Sequence, residues 1–178
     1  QHPLLGLDER YAQHFIHLTA PGKTFNVAGL KSGVSIIPNQ NVRETFVKTQ
    51  VAMSLDVKNT FGIESVIAAY TPEGAEWAQQ EVAYMQANVD YVEEYLKEKM
   101  PGVTMIRPEG TFLCWLDLSG LHLGDQELFQ RIVLDAAVIC VPGPWFGPGG
   151  EEHFRLNVGC PRSILTEALE RIKKELYR

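Results

Sequence analysis

Lys23 lies in the stretch Thr19 to Gly33, TAPGKTFNVAGLKSG, between a Pro-Gly pair and an apolar run punctuated by glycine. A lysine amine becomes a nucleophile when it is desolvated or set near another cation. Either condition lowers its pKa and frees the lone pair that forms an imine with a carbonyl. Phe25, Val27 and Leu30 supply apolar neighbours, and Lys31 places a second cation eight residues on. Gly22 and Gly29 let the backbone pass close to a bound group, and nearby hydroxyls and amides can hold a phosphate. Most lysines are simply solvated, so local chemistry makes Lys23 a candidate and nothing further. Arg155, in Phe154-Arg155-Leu156-Asn157-Val158, reads by itself as a strand arginine turned to solvent, although its planar, permanently charged fork is of the kind that suits a carboxylate.

Other chemistries find less support. The histidines at 2, 14, 17, 122 and 153 do not fall at metal-ligand spacing. His14 and His17 are expected on one strand, which sends them to opposite faces. No nucleophile elbow GxSxG occurs, and PGPWFGPGG lacks the Lys-Ser/Thr of a phosphate loop while its prolines remove amide donors. The 178 residues carry 16 Lys and Arg against 22 Asp and Glu, a net charge of −6, and the basic residues are scattered. Nucleic acid is therefore not expected as a partner. Cys114, Cys140 and Cys160 form no CxxC pair and lie beside apolar residues, as buried thiols of a reducing compartment do. No apolar run approaches the roughly 20 residues that span a bilayer, and QHPLLGLDERYAQ lacks the pattern of a signal peptide. A soluble, cytoplasmic protein is expected, with no membrane partner.

The elements that must position these residues follow from periodicity. His14–Leu18 and Gly33–Ile37 alternate like short strands, so the lysine segment is a loop held at both ends. Helices are expected from Asn41 to about Leu55, with Val42, Phe46 and Met53 in the core, and from Asn59 to Tyr70. A long amphipathic run then extends to Met100, where Pro101-Gly102 stops it; its aromatic and Met stripe from Trp77 to Leu96 reads as core. Val103–Ile106 and Thr111–Leu118 read as strands, followed by a helix from about Asp125 to Ala136 and a buried strand Val138–Val141. After the Pro/Gly loop come the strand Phe154–Val158 and a last helix starting near Pro161 and burying Leu165, Leu169, Ile172 and Leu176. The order β, β, helices, ββαβ, loop, βα places the chain in the α/β or α+β class.

GKTFNVAGLKSG resembles the segment around the cofactor-bearing lysine of fold type I pyridoxal-phosphate enzymes, the class I/II aminotransferase superfamily. There a lysine precedes an apolar run, a glycine and a cation eight positions on. The wording Thr-Phe-Asn-Val-Ala-Gly-Leu is most similar to the cystathionine β-lyase or C-S lyase branch. Pro108 to Leu116, PEGTFLCWL, resembles the family's hairpin entering the small domain, and FRLNVGCPR resembles its RxN…CPR strand and helix start.

The resemblance implies an α/β, PLP-dependent transferase-like fold: the end of the large domain over 1–73 and the small carboxy-terminal domain over 74–178. It implies that Lys23 binds pyridoxal 5'-phosphate and shuttles the α proton of an amino-acid substrate. Lys31 meets the cofactor phosphate and Arg155 the substrate carboxylate. Two departures stand out: Gly22 where Ser commonly precedes the lysine, and Lys31 where relatives often have Arg. The implied reaction is β-elimination from a sulfur amino acid, giving thiol, pyruvate and ammonia. Transamination is the alternative, and a non-catalytic small module the second. The match reaches only the carboxy-terminal half or less of a family member. The carboxylate for the ring nitrogen, the stacking aromatic and the phosphate turn precede the lysine in the family and are not located here. A fragment of a homodimeric enzyme, inactive by itself, is the expectation. Arg162, in a helix's first turn, reads as structural or interfacial, and PGPWFGPGG as a loop closing over the site mouth.

Overall fold

The computed structural model describes residues 9–57 and 59–178. His2 and the first part of the polar lead-in lie outside them. The chain divides into two compact units, residues 1–80 and 81–178.

In the first unit, a 3-10 turn Glu9–His14 leads to β1 (His17–Thr19), which pairs antiparallel with β2 (Val34–Ile36), Thr19 opposite Val34. Asn39 starts α1 (Gln40–Ala52): its Oδ1 accepts from the Asn41 and Val42 amides, and its Nδ2 donates to the Gln13 carbonyl at 3.1 Å. Asn59 plays the same role for α2 (Thr60–Ala69). The long helix α3 (Pro72–Lys99) begins in this unit and continues into the second.

Three expectations are corrected here. The strand expected over His14–Leu18 is confined to β1, because His14 closes the 3-10 turn, so His14 and His17 do not share a strand. Val42 and Met53 are exposed and Phe46 half-buried, and no α1 residue is buried. The apolar stripe of α1 is real, but Val42 and Phe46 line an open groove of about 450 Å³ with Ile16 instead of meeting a packed neighbour. The stripe expected from Trp77 is core only from Asn88 onward, since Trp77, Val82 and Tyr84 are exposed.

The second unit holds a four-stranded antiparallel sheet in the order β3 (Thr104–Ile106), β4 (Leu113–Asp117), β6 (His153–Asn157), β5 (Val141–Pro142). Strand alternation sends Cys114, Leu116, Phe154 and Leu156 into the core. They pack with Val92, Leu96 and Met100 of α3 and with Leu165, Leu169, Ile172 and Leu176 of α5 (Arg162–Leu176). The other face carries Trp115, Asp117, His153 and Arg155, all half-buried.

Two further corrections apply. The helix expected from Asp125 to Ala136 is α4 (Gly124–Phe129) followed by a π-helical turn Gln130–Asp135, where the Ala136 amide reaches the Arg131 carbonyl at 2.9 Å. Arg131 there bonds Glu127 and the last carbonyls of α5, which fixes the wider turn. The strand expected over Val138–Val141 pairs only at Val141–Pro142. Its first residues are drawn into a tight turn by the Val138 amide on the Ile132 carbonyl, which leaves Ile139 93% exposed. Cys140 and Cys114 are buried and Cys160 half-buried. Burial pushes the Cys114 thiol to about 11 and the Cys140 thiol to about 12, so both stay protonated at neutral pH. Among the described residues, no helix is long and apolar enough to cross a membrane.

Candidate functional site

Lys23 sits on a wound turn. The Phe25 amide donates to the Pro21 carbonyl at 2.9 Å and the Val27 amide to the Gly22 carbonyl at 3.0 Å, so the backbone around the lysine is internally bonded. Phe25 stacks on Trp77, with ring centroids 6.0 Å apart, and meets Tyr70 edge-on at 6.1 Å. That aromatic anchor fixes the turn while Lys23 itself is exposed. The burial expected from its apolar neighbours is therefore corrected: Phe25, Val27 and Leu30 are half-buried in their own contacts and do not enclose the amine. Gly22 is closely packed in the loop, since a Cβ there would lie 3.2 Å from the Ala28 Cα, whereas Gly29 faces open space.

A short 3-10 turn, Ala28–Leu30, carries the chain to Lys31, whose backbone is left-handed (φ 52°, ψ 44°) and whose amide caps the turn on the Ala28 carbonyl. Left-handed geometry at a lysine is costly unless its surroundings hold it. Here α2 does so. Asn59 Nδ2 and Ser32 Oγ both donate to the Leu30 carbonyl at 3.3 Å, and a Cβ on Gly62 would overlap the Ser32 hydroxyl. Asn59 also caps α2 through the Phe61 amide at 3.1 Å. The start of α2 and the loop that carries both lysines are thus one bonded unit. Asn59→Ala is expected to lose the cap and the tie together, at about 1–2 kcal/mol. The check is faster amide hydrogen exchange at Phe61 and Lys31, with exchange in α5 unchanged.

Arg155 occupies the centre of the half-buried sheet face in the second unit, opposite Trp115 on β4 and Val141 on β5. Its guanidinium carbon stands 4.8 Å from the Phe146 ring centroid. Arg43, Arg107, Arg131, Arg162, Arg171 and Arg178 each hold a carbonyl or carboxylate oxygen. Among the described residues Arg155 holds neither, although it is half-buried. Asp117, on the same face, is engaged elsewhere. The Ser119 side chain and amide hold its carboxyl below the usual range, and His153 Nε2 lies 3.9 Å away. Among the described residues this permanently charged fork holds no carboxylate, and its N–H groups suit one.

Arg162 shows the contrast. Its Nε donates to Asn88 Oδ1 at 2.8 Å, one terminal nitrogen donates to the Ala87 carbonyl at 2.7 Å, and the guanidinium covers the Tyr91 ring at 4.5 Å. It is a structural clamp between α3 and α5. Lys23 and Lys31 share one loop of the first unit, while Arg155 belongs to the second. Sequence reasoning passed over Phe146 and Trp115. Their signals were an aromatic pair inside a Gly/Pro loop and a Trp two residues from Asp117 on the outer register of β4.

A family model described as aminotransferase class I and II matches residues 4–172. Cystathionine beta-lyase PatB of Bacillus subtilis (strain 168) is 37% identical over 174 residues, covering 98% of this chain and 45% of that protein. Protein MalY of Escherichia coli (strain K12) is 30% identical over 153 residues, covering 85% and 39%. Among solved structures, the fold is similar to that of a PLP-bound putative aminotransferase from Clostridium difficile 630, with a TM-score of 0.89 and 34% identity over 98% of this chain and 45% of that one. Cystalysin from Treponema denticola, whose crystals contain pyridoxal 5'-phosphate, gives a TM-score of 0.85 and 31% identity over 95% and 43%. The chain spans less than half the length of these relatives.

Proposed function

The chain belongs to the aminotransferase class I and II family, and from that premise we propose that it is the carboxy-terminal part of a pyridoxal-phosphate enzyme that cleaves the C–S bond of a sulfur amino acid. The products are a thiol, pyruvate and ammonia. The lyase names among its relatives support elimination over transamination. We further propose a homodimer, a cytoplasmic location, and a division at 1–73 and 74–178 into the end of the large domain and the small domain.

Two donors of this chain suit the cofactor. Lys23 offers an exposed primary amine for the aldehyde, and Lys31, on a loop clamped by Asn59, offers a cation for the phosphate. When bound, pyridoxal phosphate supplies the electron sink for the pair left at the substrate's α carbon. Lys23 Nζ takes up the α proton and Arg155 fixes the α carboxylate in a bidentate grip, which holds the substrate in one orientation. Both elimination and transamination begin with that proton transfer.

The observation that supports this reading is the half-buried guanidinium of Arg155, which holds no carboxylate among the described residues and lies 4.8 Å from the Phe146 ring centroid. The test is kinetic, in the whole enzyme, with L-cystathionine as substrate and pyruvate as product. Arg155→Lys keeps the charge and loses the fork, so KM is expected to rise at least about tenfold, close to 1.4 kcal/mol. An unchanged KM would remove Arg155 from the site. Amino transfer to a keto acid, without pyruvate, would replace the lyase by an aminotransferase.

A further inference from the structure

We infer that Phe146 is a positioning residue for Arg155, holding its guanidinium plane so that the edge of the fork stays free for a carboxylate. The inference rests on the reading of Arg155 as the carboxylate site.

Phe146 is 53% exposed, yet two of its surfaces are in use. One face receives the Arg155 guanidinium at 4.8 Å, and the ring meets Trp115 edge-on, with centroids 5.4 Å apart at 74°. Trp115 in turn stacks on His153 at 5.8 Å and sits directly across the strand pair from Arg155. The ring is therefore braced from the sheet and not merely from its own loop.

That loop is itself closed. A Cβ on Gly143 would overlap the Gly150 carbonyl oxygen, and a Cβ on Gly150 would overlap the Gly143 carbonyl oxygen, so two backbones meet where only glycine fits. The Gly147 amide donates to the Pro144 carbonyl at 3.2 Å, the Gly150 amide to the Gly147 carbonyl at 3.3 Å, and the His153 amide to the Gly150 carbonyl at 3.2 Å. The Gly149 amide is held by Glu151 Oε2 at 2.9 Å. Successive bonds thus carry the chain from Phe146 back to the start of β6, two residues before Arg155.

The directions of the two interactions explain the pairing. An aromatic ring attracts a guanidinium through its π face, whereas a carboxylate binds the N–H groups in the guanidinium plane. Phe146 therefore orders the long side chain of Arg155 without occupying the donors that a substrate needs. An arginine ordered beforehand loses less rotamer freedom on binding, which raises affinity.

The test uses the 178-residue chain, labelled with 15N, and sodium acetate as the probe at constant ionic strength. The Arg155 Nε–H resonance, identified by its disappearance in Arg155→Lys, is expected upfield through the ring current of Phe146 and to move as acetate binds. Phe146→Leu keeps apolar bulk without a ring. It is expected to abolish the upfield shift and weaken acetate binding about three- to tenfold, while Phe146→Tyr restores both. Equal acetate affinity in the Leu variant and the parent chain would overturn the inference and leave Arg155 in its role. An Arg155 resonance that acetate does not move in the parent chain would overturn both.

Discussion

Lys23→Ala is expected to remove pyridoxal phosphate from the Thr19–Gly33 peptide after borohydride trapping, and to lower turnover of the whole enzyme by at least about 10³-fold. The magnitude follows from the two duties one amine would carry, covalent tethering and proton transfer, the second by itself worth about 10²–10⁴. Lys31 and Lys48 serve as internal controls, since both are exposed and neither sits on the wound turn between Pro21 and Val27. Peptide mass spectrometry of the trapped 178-residue chain gives the first reading. Label concentrated on Lys23 assigns the tether. Label spread evenly over the lysines means that this chain does not select an amine by itself, and the assignment then stands or falls with turnover of the whole enzyme. Full turnover in the alanine variant would take both duties, tethering and proton transfer, away from Lys23.

Asn88→Leu is expected to cost the second unit about 3–5 kcal/mol. Asn88 is wholly buried and every donor it has is used: Nδ2 reaches the Val158 carbonyl at 2.8 Å and the Cys160 carbonyl at 3.0 Å, while Oδ1 accepts from Arg162 at 2.8 Å. Leucine fills a similar volume but leaves two carbonyls and a guanidinium N–H without that partner, at about 1–3 kcal/mol each. For a unit of this size, a loss of 3 kcal/mol lowers Tm by at least about 12 °C. Thermal melting followed by near-ultraviolet circular dichroism checks it, and a loss below 1 kcal/mol would show that Arg162 finds other acceptors. The damage should stay local to the α3 and α5 junction, so exchange rates in α2 serve as the control.

Much of this was legible in the residues, for reasons that can be located. The α5 stripe Leu165, Leu169, Ile172 and Leu176 is all core because it faces a sheet within its own unit. The weaker stripe of α1 misled, since periodicity reports that a helix has an apolar face and says nothing of what lies against it. Lys23 and Lys31 could be picked out by type and spacing. The tie that holds the loop beside Lys31 could not, because it comes from Asn59, 28 residues further along, to the Leu30 carbonyl. Arg155 could be proposed from its motif, but its lack of an anion is a property of the assembled sheet: Asp117 is adjacent in the fold and distant in the chain. The turn at Val138–Cys140 escaped because a run of four apolar residues fits a strand until the hydrogen bond from the Val138 amide to the Ile132 carbonyl is counted.

The strand order of the small sheet bears on how the chain can be made. β6 lies between β4 and β5, although it is the last strand in sequence. During synthesis, the β3–β4 hairpin and the short β5 leave the ribosome as separate pieces, neither able to bury its inner face. The sheet closes only when residues 153–157 emerge, and α5 follows at once to cover it. A product ending near residue 150 would therefore lose the centre of the sheet and not its edge, presenting Cys114 and Leu116 to the proteases that clear incomplete chains.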